Sequence, residues 1–430
     1  MATSAVSRGV AAVAPIVTVP LALRALGASG YGAWSSALSL TALAVWADLG
    51  LGAGLMTRLA ASMESGDMDE GRRLVSSAYA AVCSVALVLL VGLAGSAAFL
   101  DWGAVVAGDE GRGSAETEAV VLVTLAAFTV GIAANLIVRV QYASKQIGRS
   151  NSWQAAGTAA GVVAIFIAAR AGIGGAGFVA VAAFVPPATA LINTVHFFRG
   201  PLGHPITPRV TSVHRRTVRE LLGLGLGFLA ITMLMAIGIS LDTWIVGRTT
   251  SLADAAEFSV LLRVLTVVGT LVSVLSIPLW PNYAAALRAR DHDWIRRSTR
   301  RMLVLSPALV GATSVLAVLV LPLILPRWLG PSFHADLTAA WGLAAWNVVQ
   351  ALAAPLFMVQ NAAGALRPQL VGYALLTVIV PIKWAVSVHF GYGWVPLVTT
   401  IGYLVVMLPA AVVGYRLAMR TDLEPVGVVA

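Results

Sequence analysis

One apolar segment, residues 258–286, carries its polar side chains on a single helical face. At 100° per residue these side chains fall within an arc of about 80°, and the other faces hold Leu, Val and Ile. The polar residues are Ser259, Arg263, Thr266, Thr270 and Ser273. This pattern predicts a helix that lines a water-filled cavity, with a guanidinium and hydroxyls available to bind an anionic molecule. The alternative is hydrogen bonding by Ser and Thr between packed helices.

Two further ionisable residues stand within apolar segments at a similar predicted depth. Lys383 lies past the middle of segment 370–389, and Asp242 lies late in segment 220–246. An ionisable side chain inside a membrane needs a cavity or a partner. We therefore expect an ion pair of Asp242 with Arg263 or Lys383. Lys383 is also a candidate cationic binding residue, and the alternative for it is snorkelling of the ammonium group to the membrane surface.

Asp48 lies about three-quarters along segment 32–57 and precedes the glycine-rich run "GLGAG". We interpret Asp48 and Asp242 as candidate coupling or gating residues that bind a proton or a sodium ion. The alternative for Asp48 is hydrogen bonding to neighbouring backbone at a cytoplasmic gate. No residue pattern predicts a bound metal as a structural or catalytic centre, and no cofactor is expected.

The composition shows which elements must position these residues. Hydrophobic residues make up 59% of the 430-residue chain and charged residues only 11%, whereas soluble domains are roughly 25% charged. Apolar runs long enough to cross a bilayer recur along the chain, which predicts an all-α polytopic membrane protein surrounded by membrane lipids. About twelve transmembrane helices are expected, at 5–24, 32–57, 74–99, 118–141, 152–170, 175–198, 220–246, 258–286, 302–325, 337–358, 370–389 and 394–415.

Basic residues predict the orientation of these helices. Of the 28 Lys and Arg residues, 21 fall on the side of the N-terminus and 5 on the opposite side. Because basic residues concentrate in cytoplasmic loops, we expect a multi-pass protein of the cell membrane with both termini in the cytoplasm. The same rule accounts for the net charge of +9, so no nucleic-acid partner is expected.

Two sequence motifs recur in the two halves of the chain. The turn "LAASMESGDMDEGRRLV" has a counterpart in "YAAALRARDHDWIRRST", and "QYASKQIGRSN" has a counterpart in "VQNAAGALRPQ". The repeat predicts two six-helix lobes of the same membrane orientation, residues 1–198 and 220–430, joined by a cytoplasmic linker at 199–219. The alternative is chance similarity between Ala-rich apolar helices.

Several segments together resemble the polysaccharide biosynthesis flippases, the Wzx-like branch of the MOP superfamily, which also holds the MATE exporters and the lipid II flippases. They are "LGASGYGAW…WADLGLGAGLMTRLA", "LGLGLGFLAITMLMAIGISLDTWIVG", "AAEFSVLLRVLTVVGTLVSVLSIPLWPNYAAALRARD" and "LPRWLGPSF". The resemblance implies two lobes around a central cavity that opens to each side in turn. It also implies transport of a polyprenyl-diphosphate-linked oligosaccharide from the inner to the outer leaflet.

The implied partners are this lipid-linked oligosaccharide and, as candidates, a coupling proton or sodium ion and polysaccharide polymerase components. A MATE-like exporter of small organic molecules is the alternative. Arg263 and Lys383 outnumber Asp242 in the outer half of the helices, which favours an anionic cargo. The chain has no G-x-x-x-x-G-K-[ST] phosphate loop, and no outer loop large enough for a membrane-bound polymerase, so we do not expect an enzyme.

Overall fold

The computed structural model describes residues 2–43, 51–276, 279–330, 333 and 335–420, and every regular element in these ranges is a helix. Eleven helical segments there are long and apolar enough to cross a membrane. The expectation of an all-α multi-pass membrane protein is therefore confirmed. The chain divides into two compact units, Met1–Met233 and Leu234–Ala430.

The helices of the first unit run from α1 to the first part of α9. They are α1 (Ala2–Thr41), α2 (Leu51–Ser65), α3 (Met68–Ser96), α4 (Trp102–Gly111), α5 (Ala115–Ala134), α6 (Leu136–Ala143), α7 (Ile147–Arg170), α8 (Gly175–Arg199) and α9 (Arg215–Ile239). The second unit holds the end of α9 and the helices α10 (Asp242–Thr249), α11 (Leu252–Ser276), α12 (Leu279–Arg288), α13 (His292–Leu329), α14 (Leu337–Ala363), α15 (Arg367–Leu376), α16 (Ile379–Phe390), α17 (Val395–Gly402) and α18 (Leu408–Ala418).

The sequence predicts twelve membrane spans, whereas the described residues hold eleven candidates, and the two counts differ at the N-terminus. Gly27 has φ 69° and ψ 176°, so a kink divides α1 into two helices. Glycine adopts this left-handed φ without the penalty of a Cβ atom. The predicted first span, 5–24, precedes the kink and the second begins after it, whereas Val13–Thr41 counts as a single candidate span. Residues 44–50, and with them Asp48, lie outside the described residues.

The predicted linker at 199–219 packs on α3 and belongs to the first unit. Its backbone N–H groups at Arg209 and His214 donate to the hydroxyls of Ser76 and Ser77, each at 3.0 Å. The chain passes from the first unit to the second within α9, further along the sequence than the predicted linker. The predicted lobe boundaries stay a prediction.

Arg58 joins three helices of the first unit through ion pairs. Its guanidinium donates to Glu70 on α3 at 2.8 Å and to Glu220 on α9. Arg216 also donates to Glu220, at 2.9 Å. Glu220 precedes the candidate span that begins within α9. The hydrogen bonds from Arg58 and Arg216 hold the pKa of the Glu220 carboxyl below its ordinary value, because both stabilise the ionised form.

The repeated acidic turns have the same geometry in the two units. Gly66 (φ 76°) precedes Asp67, which caps α3 by accepting from the Glu70 N–H at 2.8 Å. Arg290 (φ 55°) precedes Asp291, which caps α13 by accepting from the Trp294 N–H at 2.9 Å. A side-chain oxygen at this position satisfies a backbone donor that has no partner within its helix.

The repeated glutamines also occupy matching places. Gln141 on α6 and Asn193 on α8 exchange amide hydrogen bonds of 2.8 and 3.1 Å. Gln360 on α14 donates to the Ala411 carbonyl of α18 at 2.7 Å. Both glutamine side chains are fully buried. Because apolar packing does not distinguish lipid from protein, such bonds fix which helices are neighbours in a membrane.

Candidate functional site

A small polar groove lies between α11 and α14 in the second unit. It has a volume of about 200 Å³. Its lining residues are Leu262, Leu265, Thr266, Gly269, Thr270, Leu343, Trp346, Asn347 and Gln350. The groove thus includes Thr266 and Thr270, two of the residues that the sequence predicted to line a cavity, and both are exposed.

Gly269 and Asn347 determine the shape of this groove. A Cβ atom on Gly269 would lie 2.9 Å from the Asn347 side-chain oxygen, so glycine allows the two helices to approach. The Asn347 amide donates to the Leu265 carbonyl at 3.0 Å. The Thr270 hydroxyl donates to the Val267 carbonyl at 2.6 Å, which leaves its oxygen lone pairs available as acceptors. The groove therefore presents hydroxyl and amide groups beside the Trp346 ring.

The remaining residues of the predicted polar face are placed differently. Arg263 is half-buried on α11 and is not one of the residues that line the described groove. Ser259 is buried and its hydroxyl donates to the Ala256 carbonyl at 2.9 Å within the same helix. The side chain of Ser273 lies outside the described residues. The predicted cavity-facing stripe is thus seen at Thr266 and Thr270, while Ser259 faces packed protein.

Lys383 and Asp242 form a buried ion pair in the second unit. The ammonium group donates to Asp242 Oδ1 at 2.6 Å and to the Gly238 carbonyl at 2.8 Å. Thr399 Oγ1 donates to the other carboxylate oxygen at 3.4 Å. Lys383 is only 1% exposed, so the snorkelling alternative is wrong. The expectation that Asp242 pairs with Arg263 or Lys383 is confirmed, with Lys383 as a partner.

Interrupted helices bring this pair together. Asp242 is the first residue of α10, after the break at 240–241, and Lys383 follows the break between α15 and α16. Thr249 and Ser387 connect α10 and α16 a second time, with 2.6 Å between their hydroxyl oxygens. The ammonium group is buried and paired with Asp242, so an anionic ligand would compete with Asp242 for it. Cargo binding by Lys383 and coupling by Asp242 stay predictions.

A larger cavity, which the sequence reasoning missed, lies within the first unit. Its volume is about 730 Å³. It is lined by Trp34, Leu38, Thr124, Ala127, Phe128, Gly131, Ile132, Asn135, Leu136, Val138, Arg139, Tyr142, Gln154, Ala182, Ala183, Pro186 and Pro187. The break at Asn135 between α5 and α6 faces the two prolines of α8. Of these two features, only the Pro186–Pro187 pair is visible in the sequence.

The comparisons with known proteins identify the family. A family model described as "Polysaccharide biosynthesis protein" matches residues 1–281. The chain belongs to this family. The resemblance to Wzx-like flippases is therefore confirmed, and the chain is a membrane transporter by family and fold. No curated protein sequence matches the chain.

Solved structures similar to this family member are MATE transporters of the MOP superfamily. One, in an inward-facing conformation, has a TM-score of 0.77 and 15% identity, over 96% of this chain and 97% of that chain. A MATE in complex with MaD3S has a TM-score of 0.60 and 13% identity, over 96% and 95%. At these identities the likeness shows the fold. Within the described residues, no group of three or more His, Cys, Asp or Glu side chains could hold a metal ion.

Proposed function

We propose that this transporter is a flippase for a polyprenyl-diphosphate-linked oligosaccharide. It would move this cargo from the inner to the outer leaflet of the cell membrane for the assembly of a surface polysaccharide. Membership of the polysaccharide biosynthesis family is the observation that carries the proposal. Polymerase components would then receive the cargo at the outer surface.

The groove between α11 and α14 supports a sugar-bearing cargo. A sugar presents many hydroxyl groups, each of which both donates and accepts hydrogen bonds. Thr266, Thr270, Asn347 and Gln350 offer matching hydroxyl and amide groups. The groove has the volume of a small subsite, so one or two sugar rings of the chain are its natural occupants. We propose that Ser273 continues this polar face.

Arg263 supports an anionic group on the same cargo. It lies one helical turn before Thr266 on α11. A diphosphate that leaves the headgroup region needs a fixed cation, because transfer of an uncompensated charge into a low-dielectric region is prohibitive. A guanidinium stays charged and binds phosphate oxygens with two parallel hydrogen bonds. We propose that Arg263 binds the diphosphate or acidic sugars, with Lys383 as a second cation once Asp242 has released it.

Asp242 is our candidate for ion coupling, and a proton fits its surroundings better than sodium. The Lys383 ammonium lies 2.6 Å from one carboxylate oxygen, so a second cation there would meet like-charge repulsion. A proton would instead neutralise Asp242 and release Lys383. Asp48 remains a second coupling or gating candidate.

The experiment follows the cargo in cells whose surface polysaccharide requires this protein. We expect Arg263→Ala to stop the appearance of surface polymer while lipid-linked repeat units accumulate inside. Arg263→Lys should retain part of the activity, since it keeps the charge and loses the fork of donors. Arg327→Ala, at the end of α13, is the control and should leave polymer at the normal level. Normal surface polymer in Arg263→Ala, at equal protein level, would refute the assignment.

A MATE-like export function is the second candidate, because the fold is shared with multidrug MATE transporters. Among the described residues that line the two cavities above, none carries a carboxylate. Export of organic cations would favour carboxylates in such places. Accumulation of a cationic dye in cells that lack the gene, reversed by the intact protein, would support this alternative.

A further inference from the structure

The cavity in the first unit is a candidate for a second ligand-binding site. It is distinct from the groove on α11 and from the Asp242–Lys383 pair, which both lie in the second unit. We propose that it binds an amphipathic anion, with an apolar body within the cavity and a phosphate-like group at Arg139. Where the anion is a lipid phosphate, this inference deepens the proposed function and rests on it. The binding measurements below test the site apart from transport, so they can fail while the proposed function stands.

Size and lining favour an apolar ligand body. About 730 Å³ lies within the range of roughly 300–1,000 Å³ that is usual for small-molecule sites. Most of the wall is aliphatic or aromatic, with Phe128, Ile132 and Val138 from one helix pair and Pro186 and Pro187 from α8. Burial of apolar surface against such a wall is favourable in proportion to the area removed from water. A hydrophilic solute would gain little here.

The charge of the cavity wall indicates that the polar head group of the ligand is an anion. Arg139 is the single charged residue among the described residues that line the cavity. Arg139 is exposed and forms no hydrogen bond or ion pair with another described residue. A guanidinium without a protein partner offers all five of its N–H donors to a ligand. Phosphate is well matched to this fork of donors.

One neutral neighbour of Arg139, Gln154, can add a donor to an anion site. Tyr142, one turn away, donates its single O–H to Asn151 at 3.1 Å and supplies no further donor to an anion. Gln154 makes only long hydrogen bonds, of 3.4 and 3.5 Å, to Ser150. Its amide N–H groups are therefore available to a second oxygen of the anion. No carboxylate among the described lining residues would repel it.

A direct binding measurement tests the proposal. The purified full-length protein, in nanodiscs of uncharged lipid, is titrated with farnesyl phosphate, farnesol and farnesylamine. These probes share one apolar body and differ in the charge of the head. We expect farnesyl phosphate to bind at least roughly tenfold more tightly than the other two, because a hydrogen bond to a charged group is worth about that factor. Equal or tighter binding of farnesylamine would overturn the proposal.

Substitution of Arg139 tests the head-group contact. Arg139→Ala should remove the preference for farnesyl phosphate over farnesol, whereas Arg139→Lys should keep part of it. Arg199→Ala is the matched control, since Arg199 is an exposed arginine at the end of α8 that does not line the cavity. An unchanged preference in Arg139→Ala, or an equal loss in Arg199→Ala, would refute the role of Arg139.

Substitution of Gly131 tests the apolar compartment without changing charge. A Cβ atom there would meet its nearest neighbour, Pro187, at 3.6 Å, which is ordinary contact. The rest of a leucine side chain would occupy part of the cavity that Gly131 lines. In Gly131→Leu protein that is shown by its thermal transition to be folded, we expect a loss of roughly tenfold or more in farnesyl phosphate affinity. Gly92→Leu, at an exposed position on α3 with open space, is the control. Undiminished binding in Gly131→Leu would place the ligand elsewhere.

A further arm identifies the source of the anion. The probe 2-naphthyl phosphate is compact and water-soluble, whereas farnesyl phosphate represents a membrane lipid. Arg139-dependent binding of farnesyl phosphate alone assigns the cavity to a lipid phosphate. Arg139-dependent binding of 2-naphthyl phosphate alone assigns it to a soluble amphipathic anion. Binding of neither probe would reject the site.

Discussion

Asp242 and Lys383 show how two costly side chains are accommodated inside a membrane helix bundle. An isolated charge there would face a large desolvation penalty. The pair offsets part of this penalty through a 2.6 Å contact, and Thr399 and the Gly238 carbonyl satisfy further polar atoms. Removing one partner leaves the other charge uncompensated, whereas removing both leaves none. Stability and coupling can therefore be separated by substitution.

The first prediction uses this separation. Asp242→Asn or Lys383→Met alone should lower the free energy of unfolding by about 3–5 kcal/mol, because each leaves a buried group without its counter-charge. The double substitution should recover most of that loss. If Asp242 couples transport to the proton gradient, the recovered double variant should still lack gradient dependence. Thermal unfolding in detergent and transport in energised vesicles measure the two effects.

Asp69→Asn is a suitable control for this prediction. The Asp69 side chain is 90% exposed and pairs with Arg72 at 3.3 Å, so its loss should change stability by less than about 1 kcal/mol. A double variant that keeps gradient dependence would remove Asp242 from the coupling mechanism. A double variant no more stable than the single ones would contradict the ion-pair account.

At the residue scale, the sequence predicted an ion pair of Asp242 but did not show whether its partner is Arg263 or Lys383. Hydropathy places Asp242, Arg263 and Lys383 at similar depths, and depth does not say which side chains face one another. That choice depends on the breaks before α10 and α16, which rotate the following residues about the helix axis. Thr399, the third member, carried no charge to draw attention to it.

At the scale of elements, the two acidic turns repeat one design. In each, a left-handed residue ends one helix and an aspartate caps the next. The sequence indicated this match through the motifs around Asp67 and Asp291. It could not indicate that Arg290 takes the left-handed φ that Gly66 takes in the first copy, because an arginine there gives no such signal.

The second prediction concerns these caps. Asp67→Ala and Asp291→Ala should each lower the free energy of unfolding by about 1 kcal/mol, because the N-terminal turn of α3 or α13 loses its side-chain acceptor. The two losses should add, since the two caps share no hydrogen-bond partner. Chemical denaturation in detergent measures them.

Neighbouring aspartates supply the controls for the cap prediction. Asp69 and Asp293 lie two residues after the caps, with side chains 90% and 78% exposed. Their substitution by alanine should have little effect on stability. Losses as large as those of the cap variants would show that local negative charge near the helix N-terminus, and not the cap hydrogen bond, is responsible.

The cavity in the first unit is the element-scale feature that the sequence did not predict. Its wall is drawn from α1, α5, α6, α7 and α8, and its aliphatic members look like ordinary lipid-facing or core residues in the sequence. A cavity forms where packed helices leave a volume unfilled. It depends on where Asn135 interrupts one helix and where Pro186 and Pro187 shape another, which hydrophobic periodicity does not report.

At the scale of the whole molecule, composition was sufficient for the class and for most helices. Runs of apolar residues must be helical in a membrane, since every backbone polar group needs a partner within the segment. The repeat further predicts that the two halves cross the membrane with the same orientation. Gln141 bonds to α8, the sixth predicted span, and Gln360 to α18, in the twelfth predicted span, which agrees with a repeat. The membrane orientation itself is open to experiment.

The last prediction tests that orientation with single cysteines. Cys83 is exposed and is first replaced by alanine. Asp69→Cys and Asp293→Cys, in the two repeated turns, should both resist a membrane-impermeant maleimide in intact cells and react after lysis. Asp109→Cys, whose native side chain is 93% exposed at the end of α4, should react in intact cells. The reason is that short loops rich in Arg stay in the cytoplasm.

If Asp69→Cys and Asp293→Cys label from opposite sides, the halves are inverted and the parallel repeat is wrong. If all three positions label from one side, the predicted orientation is wrong, because α3 would then not cross the membrane between Asp69 and Asp109.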